Sequence, residues 1–286
     1  MNLREFTLGS VRVTLLDCGR FSLAREDIFR RAGAGGAPPV LPPGPDAVVL
    51  ALNAVLVRTP RAVVVIDTGL GRSPRTHGGL RGVRLKPGLL PSLEEAGVAP
   101  ADVDFVIATH LHYDHCGGST VPHVRGGFVP SFPKARYVIQ QGEWDTAFHP
   151  GARDRASYIP ETFAPLAAAG AVLLVEGGAG ITEGVEVVLT PGHTAHHQSV
   201  LVHGAGRTLC VAGDLIPTAG HAGFSLVTTF DLDPRTTLRT KRLLYERAVP
   251  ERWIFALPHD LARPFGRIVR DGARFAFRAV RAAADI

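Results

Sequence analysis

Cysteine is scarce in this 286-residue chain. Cys18, Cys116 and Cys210 form no C-x-x-C pair, and an odd, dispersed set builds neither a disulfide framework nor a thiolate zinc finger. We expect all three to pack as small apolar groups. Asparagine occurs only at Asn2 and Asn53, and lysine only at Lys86, Lys134 and Lys241. Few thermolabile side chains together with 22 prolines suit a thermophilic source, but the lysine shortage suits a GC-rich genome equally, so composition does not decide between them. No apolar run approaches the roughly 20 residues that a membrane-spanning helix requires. The formal charge of +5 is spread over scattered arginines. With no like-charged block and no interleaved aromatics, a nucleic-acid partner is not expected. At the start, "MNLREFTLGSVRV" sets Arg4 and Glu5 where a secretory leader needs uninterrupted apolar residues, so the expected location is cytoplasmic.

What is present is an ordinary globular composition, 45% hydrophobic and 20% charged, long enough for one large core and a single domain over residues 1–286. Apolar and alternating runs predict strands over 11–18, 47–59 and 61–69, arranged as a meander. Between the first two lies 30–47, "RRAGAGGAPPVLPPGPDA", too rich in Gly and Pro for a regular element. It reads as an insertion: a lid, a dimerisation arm or a disordered segment. A helix over 85–98 leads to a buried strand over 102–110. Further strands are expected at 135–140, 184–194, 198–204 and 206–214, with a last one at 252–260, and helices at 142–149, 160–170 and 234–249.

Four of these strands end on a metal-capable side chain, at His110, His193, Asp214 and His259. The 102–110 strand runs into "HLHYDH". His110 and His112, two apart in an extended backbone, face one side and can share an ion; Asp114 and His115, where the chain turns into a helix, can face a second. His193 then completes the first site, His259 the second, and Asp214 bridges the two. Each ion receives about three or four protein ligands with a position left for water, as a catalytic site requires and a structural site does not. The nitrogen and oxygen donors suit Zn(II) and leave Mn, Fe or Co open. Two divalent ions roughly 3.5–4 Å apart can hold a hydroxide and polarise a carbonyl or phosphoryl oxygen, so hydrolysis is the expected chemistry. Asp114 carries the further expectation of a general acid that returns a proton to the leaving alkoxide. Thr194, beside His193, reads as support for that ring or as a plain turn residue. Phe21, Phe29 and Phe224 are candidates to line an apolar substrate pocket. His196 and His197 lie outside the ligand pattern and receive no role, and Cys116 reads as a packing residue.

"HLHYDH", "PGHT", "AGD" and "LPHD", in that order, resemble the metallo-β-lactamase superfamily of hydrolases. The H-x-H-x-D-H signature of that family matches at His110, His112, Asp114 and His115, and the resemblance covers nearly the whole chain. It implies an α/β (α+β) fold, an αβ/βα sandwich with two mixed sheets face to face and helices outside. It also implies that the "DTG" beginning at Asp67 supports the site from below. Residues 135–166 and "GDLIPTAGH" look most like the cytoplasmic quorum-quenching lactonases and their esterase and phosphotriesterase relatives. The implied reaction is opening of a lactone, such as an N-acyl-homoserine lactone, with a phosphotriester or aryl ester as the alternative. The lactonases carry a tyrosine three residues after the bridging aspartate; here that place is Pro217, and His221 is the candidate substitute. An iron oxidoreductase of the same fold is disfavoured, because the flavodiiron type needs a Glu at the place of His112. The implied partner is a small ester or lactone, and the implied assembly a homodimer.

Overall fold

The computed structural model describes residues 4–31, 45–77, 80–272 and 274–286. Its frame is two sheets. In the first, the order is Glu5–Leu8, Val11–Ala24, Ala47–Arg58, Val63–Ile66, Phe105–Ile107, Arg136–Gln140 and Val172–Val175, with Arg81–Arg84 paired beside Val11–Ala24. The first three pairings are antiparallel, so the expected meander forms, and the next three are parallel. The second sheet runs Ala179–Thr182, Val185–Leu189, Gln198–Gly204, Arg207–Val211, Ile254–Ala256, Phe265–Asp271 and Arg274–Ala279. It is antiparallel except where Arg207–Val211 meets Ile254–Ala256.

Period-two alternation sorts the side chains into layers. Val55, Val57, Val64 and Ile66 of one sheet pack with Val187, Val200, Val202 and Val211 of the other, all buried. The intervening residues face outward and need separate cover. Ala54, Leu56, Val65 and Ile139 are covered by Leu89, Leu93, Ala147 and Leu166 from helical segments, and Leu201, Cys210 and Phe255 by Leu244, Tyr245 and Ala248. The order helix, sheet, sheet, helix is thus what buries both faces of both sheets. The three cysteines are buried thiols within these layers. Among the described residues, no helix is long and apolar enough to cross a membrane.

Three expectations change. The strand predicted at 11–18 continues to Ala24, because the chain passes through a bulge between Asp17 and Arg20 instead of turning. Gly19 makes this possible: its φ is +123°, and a Cβ there would stand 2.3 Å from the Arg84 carbonyl oxygen. The strand ending near His259 is not the last, since the hairpin Phe265–Asp271 and Arg274–Ala279 extends the second sheet by two strands. The helix predicted at 160–170 is a 3-10 turn, Pro160–Thr162, followed by a helix Ala164–Ala168. Of the predicted insertion, Arg30–Arg31 is a two-residue strand paired with Leu226–Val227, Ala47 begins a long strand, and 32–44 lie outside the described residues.

The helix Pro234–Ala248 is strongly amphipathic and starts cleanly. Asp233 accepts hydrogen bonds from the backbone N–H groups of Arg235 and Thr236, both at 3.0 Å, and Pro234 follows it. Its inner face carries a fully buried lysine. Lys241 Nζ donates to the carbonyls of His221 (3.0 Å) and Leu226 (2.7 Å), pinning the loop that joins Ala219–Ala222 to Leu226–Val227. Burial pushes its ammonium down to about 8, against an upward pull from Asp231. From there to the ordinary value near 10.4 the unfolded chain holds the extra proton. Stability should therefore rise between about pH 8 and 10, by up to ~1.4 kcal/mol per unit, and this contribution is lost as pH falls through the folded value. Lys241→Met is expected to flatten the stability curve in that window. Urea unfolding at stepped pH measures it, and identical slopes in the two proteins would exclude Lys241 as the source.

Candidate metal centre and its cavity

Four of the seven sequence-predicted ligands sit a few residues past a strand end. Phe105–Ile107 is followed by His110, Val185–Leu189 by His193, Arg207–Val211 by Asp214, and Ile254–Ala256 by His259. After His112 the backbone turns from extended into the short helix Tyr113–Cys116, which redirects Asp114 and His115. The donor atoms form three overlapping groups, His110 with His112 and His193, Asp114 with His115 and His259, and a middle one that joins His110 and His115 to Asp214. Asp214 thus lies between the outer two. One of its oxygens is 3.3 Å from His193 Nε2, and the other is 3.3 Å from His115 Nε2 and 3.1 Å from His259 Nε2.

The outer nitrogen of each ring decides which way its lone pair points. His115 Nδ1 donates to Asp67 at 2.9 Å, His193 Nδ1 to Asp231 at 3.0 Å, and His259 Nδ1 to the Ala51 carbonyl at 2.8 Å. Thr109 Oγ1 gives its proton to Asp67 (3.0 Å) and so accepts from His110 Nδ1 (3.1 Å). In the neutral rings, then, Nε2 of His110, His115, His193 and His259 is an acceptor aimed inward. His115 Nε2 and His259 Nε2 stand only 3.2 Å apart, and His193 Nε2 is 3.1 Å from His112 Nδ1. Two bare acceptors, as at His115 and His259, repel at such a distance unless a cation lies between them, whereas His112, whose Nε2 has no partner, can donate from Nδ1 to His193.

This donor set fits a metal. Two nitrogens bound to one tetrahedral ion at about 2.0–2.1 Å are separated by roughly 3.3 Å, close to the spacing of these pairs. Buried His110 Nε2 and Asp214 Oδ1 have no hydrogen-bond partner, which a buried polar atom normally requires and an ion would supply. The electrostatics agree. Burial and the neighbouring His115 hold His110 well below the usual imidazole range, while His115 rises against burial because Asp214, Asp114 and Asp67 surround it. Burial alone would raise Asp214, but His115, His259 and His193 hold it far below the carboxylate range.

Beneath the clusters the backbone is tightly held. Asp67 adopts φ +56°, unusual for a residue with a side chain, and its carboxylate also accepts the Thr109 N–H at 2.8 Å. His197, which the sequence left without a role, is buried. Its Nε2 accepts the Asp214 N–H at 3.0 Å while Nδ1 donates to the Thr190 carbonyl, and burial pushes its pKa down to about 3. Gly213 permits this approach, since a Cβ there would meet His197 Nε2 at 2.4 Å. Asn53 crosses from the first sheet to donate to the carbonyls of Leu257 (3.0 Å) and Asp260 (3.1 Å), clamping the loop of His259.

A cavity of about 260 Å³ opens above Asp114, Asp214 and His259. Phe21, Leu23, Ile28, Leu50, Leu80 and Phe230 form its apolar wall, and Tyr113, Ser157 and Thr228 add hydroxyl-bearing side chains; neither Lys nor Arg is among its described lining residues. Of the four predicted pocket residues, the structure places Phe21 in this cavity, edge-on to His259 with centroids 6.0 Å apart. The other three lie elsewhere. His221 is buried behind the wall, donating to the Ile28 carbonyl at 2.7 Å and accepting from Thr218, with Phe29 stacked on it at 4.7 Å. Phe224 lies beneath the Arg242 guanidinium in a separate groove. Thr194 supports the region, but through Glu143, to which its hydroxyl donates at 2.7 Å.

The family model of the metallo-beta-lactamase superfamily matches residues 47–259. The chain belongs to that superfamily. An N-acyl homoserine lactonase of Bacillus thuringiensis subsp. kurstaki, AiiA, is 25% identical over 228 residues, covering 72% of this chain and 80% of the relative. A probable metal-dependent hydrolase from Staphylococcus aureus superposes with a TM-score of 0.82 at 22% identity, over 97% of this chain and 99% of the other. AidC, a dizinc quorum-quenching lactonase, superposes with a TM-score of 0.75 at 18% identity, over 98% and 97% of the two chains. The chain is therefore a hydrolase of this superfamily, with lactonases among its relatives and His/Asp clusters that could bind metal.

Asp231 and Glu143 went unnoticed in the sequence. Asp231 lies 38 residues from the ring it holds, in a loop without ligand spacing. Replacing it with Ala should leave His193 Nδ1 without an acceptor and weaken metal binding by about 10–100-fold. Chelator competition measures this, and an unchanged affinity would show that His193 needs no such partner.

Proposed function

We propose that this protein is a dinuclear hydrolase that opens a lactone or a closely related uncharged ester, an N-acyl-homoserine lactone being the first candidate. The observation that carries the reading is Asp214 set between two histidine clusters whose acceptor nitrogens face inward, beneath a largely apolar cavity. His110, His112 and His193 would hold one ion and Asp114, His115 and His259 the other, with Asp214 shared and zinc the first choice for this donor set. Bound there, two divalent ions supply the Lewis acidity that activates water at neutral pH and polarises an ester carbonyl.

The residues around the ions divide the remaining work. The apolar wall accepts an alkyl arm by excluding water, and the lack of a cation among the described lining residues favours a substrate without a carboxylate or phosphate of its own. Pro217 lines the cavity where the lactonases of the resemblance have their tyrosine. A phenol is nonetheless present at Tyr113, whose hydroxyl has no hydrogen-bond partner among the described residues and can donate to a substrate oxygen. Asp114, with its carboxylate 3.5 Å from His259 Nε2 and part of it open to the cavity, would hold a proton and return it to the leaving alkoxide.

The direct assay follows proton release from an acyl-homoserine lactone by protein carrying two metal ions, beside a chelated control, a phosphotriester and an aryl ester. We expect the lactone to show by far the highest kcat/KM and chelation to abolish it; a higher value for another ester would overturn the substrate class. Asp114→Asn should reduce kcat about 10²–10⁴-fold, the usual range for a lost proton-transfer group. Near-normal turnover at full metal content would remove Asp114 from that role.

A further inference from the structure

We propose that Glu143 is a positioning residue that ties together the two loops presenting His110, His112 and His193, and thereby sets the affinity of that half of the site. The inference rests on the two-ion reading above. Glu143 lies on the helix Gln141–Phe148 and is 1% exposed, yet no Lys or Arg among the described residues pairs with it. Its carboxylate is satisfied instead by three converging donors. Oε1 accepts the Leu111 N–H at 3.0 Å and the Tyr158 hydroxyl at 3.0 Å, and Oε2 accepts the Thr194 hydroxyl at 2.7 Å.

Each donor belongs to a different piece of the same cluster. Leu111 is the residue between His110 and His112, and Thr194 directly follows His193. Tyr158 packs its ring edge-to-face on His112, with centroids 5.0 Å apart. One buried side chain thus fixes the spacing of three ligands brought from two loops. Burying a carboxylate raises its pKa, as it does here against the pull of the three hydrogen bonds. Such a cost is tolerated where the group holds something in place.

The other half is held differently. Asp67 orients His115, and the Ala51 carbonyl orients His259; neither contacts Glu143. The two ions should therefore respond separately when Glu143 is changed. Removing a supporting carboxylate of this kind typically lowers metal affinity about 10–100-fold.

The test compares wild type, Glu143→Ala, Glu143→Gln and Thr194→Val, using zinc titration against a chromophoric chelator and thermal unfolding of the chelator-stripped proteins. Glu143→Ala is expected to keep one ion at wild-type affinity and to bind the other about 10–100-fold more weakly. Glu143→Gln, which retains an acceptor for Leu111, should recover part of the loss. Thr194→Val removes one hydrogen bond at nearly constant shape, so it carries the test if Glu143→Ala does not fold. It should weaken the same ion while leaving the stripped protein's Tm close to wild type. Both ions unchanged, or both weakened equally, would overturn the inference. A wild type that binds one ion would overturn the two-ion reading alone if Thr194→Val weakens that ion, and both readings if it does not.

Discussion

The Asp214 carboxylate stands between two sets of imidazoles whose inward nitrogens approach one another at 3.1–3.2 Å, and most of the surrounding structure exists to hold that contact. Left to themselves, such rings would turn their lone pairs toward solvent or toward a donor. Four of the five cannot, because the outer nitrogens of His115, His193, His110 and His259 are committed to Asp67, Asp231, Thr109 and the Ala51 carbonyl. The orientation of the site is therefore set from behind, by groups that never face the cavity. Asp214 is fixed in the same way, through its own N–H on His197.

Holding these groups from behind requires the two sheets to be registered against each other. Packing of Val and Ile in the β-sandwich core fixes the sheets broadly, but dispersion contacts lack the directionality of hydrogen bonds. Polar crossings supply the register at the site edge. Asn53 leaves the first sheet to bind two carbonyls flanking His259, while the Asn53 and Ala51 N–H groups reach the Pro258 and His259 carbonyls. From the other direction, Gln198 of the second sheet donates to the Ala108 carbonyl at 2.7 Å and accepts from Gln140 at 2.8 Å. These directional bonds lie within a few residues of the predicted ligands. A small shear between the sheets would thus be felt first at the site.

The ligand pattern was legible in the sequence because it is local and chemically dense. Two histidines two residues apart on an extended backbone, then a carboxylate and a histidine entering a helix, leave few alternatives to a metal. The strand ends at His193, Asp214 and His259 were legible through their apolar runs. The supports were not. Glu143 lies 32 residues from Leu111 and 51 from Thr194, and nothing in "GEWDTAFH" distinguishes it from an exposed helical glutamate. His197 was passed over because its function is to accept a backbone N–H, an act without a sequence signature. The predicted strand stops at Cys18 because the glycine that follows breaks the apolar alternation, whereas in the structure Gly19 sits in a bulge and the strand continues to Ala24. The C-terminal hairpin was not legible because its arginines, Arg267, Arg270, Arg274 and Arg278, fall three or four residues apart and break the two-residue alternation of a half-buried strand.

That same long strand links substrate preference to the fold. Phe21 and Leu23 alternate onto one face of Val11–Ala24, Phe21 pairs in register with Leu50, and these three form much of the apolar wall of the cavity. Phe21 and Leu50 are also buried members of the core cluster that continues through Leu52, Leu56 and Val106 into the first sheet. Had the chain turned at Gly19, the wall would have no strand to stand on and the predicted ligands would lie open to water. The bulge redirects the strand over the site instead. Enlarging the cavity at Phe21 or Leu50 would therefore remove core packing as well as substrate contact. Phe230, exposed and outside that core cluster, is the wall position where pocket shape can change with less effect on the sheet.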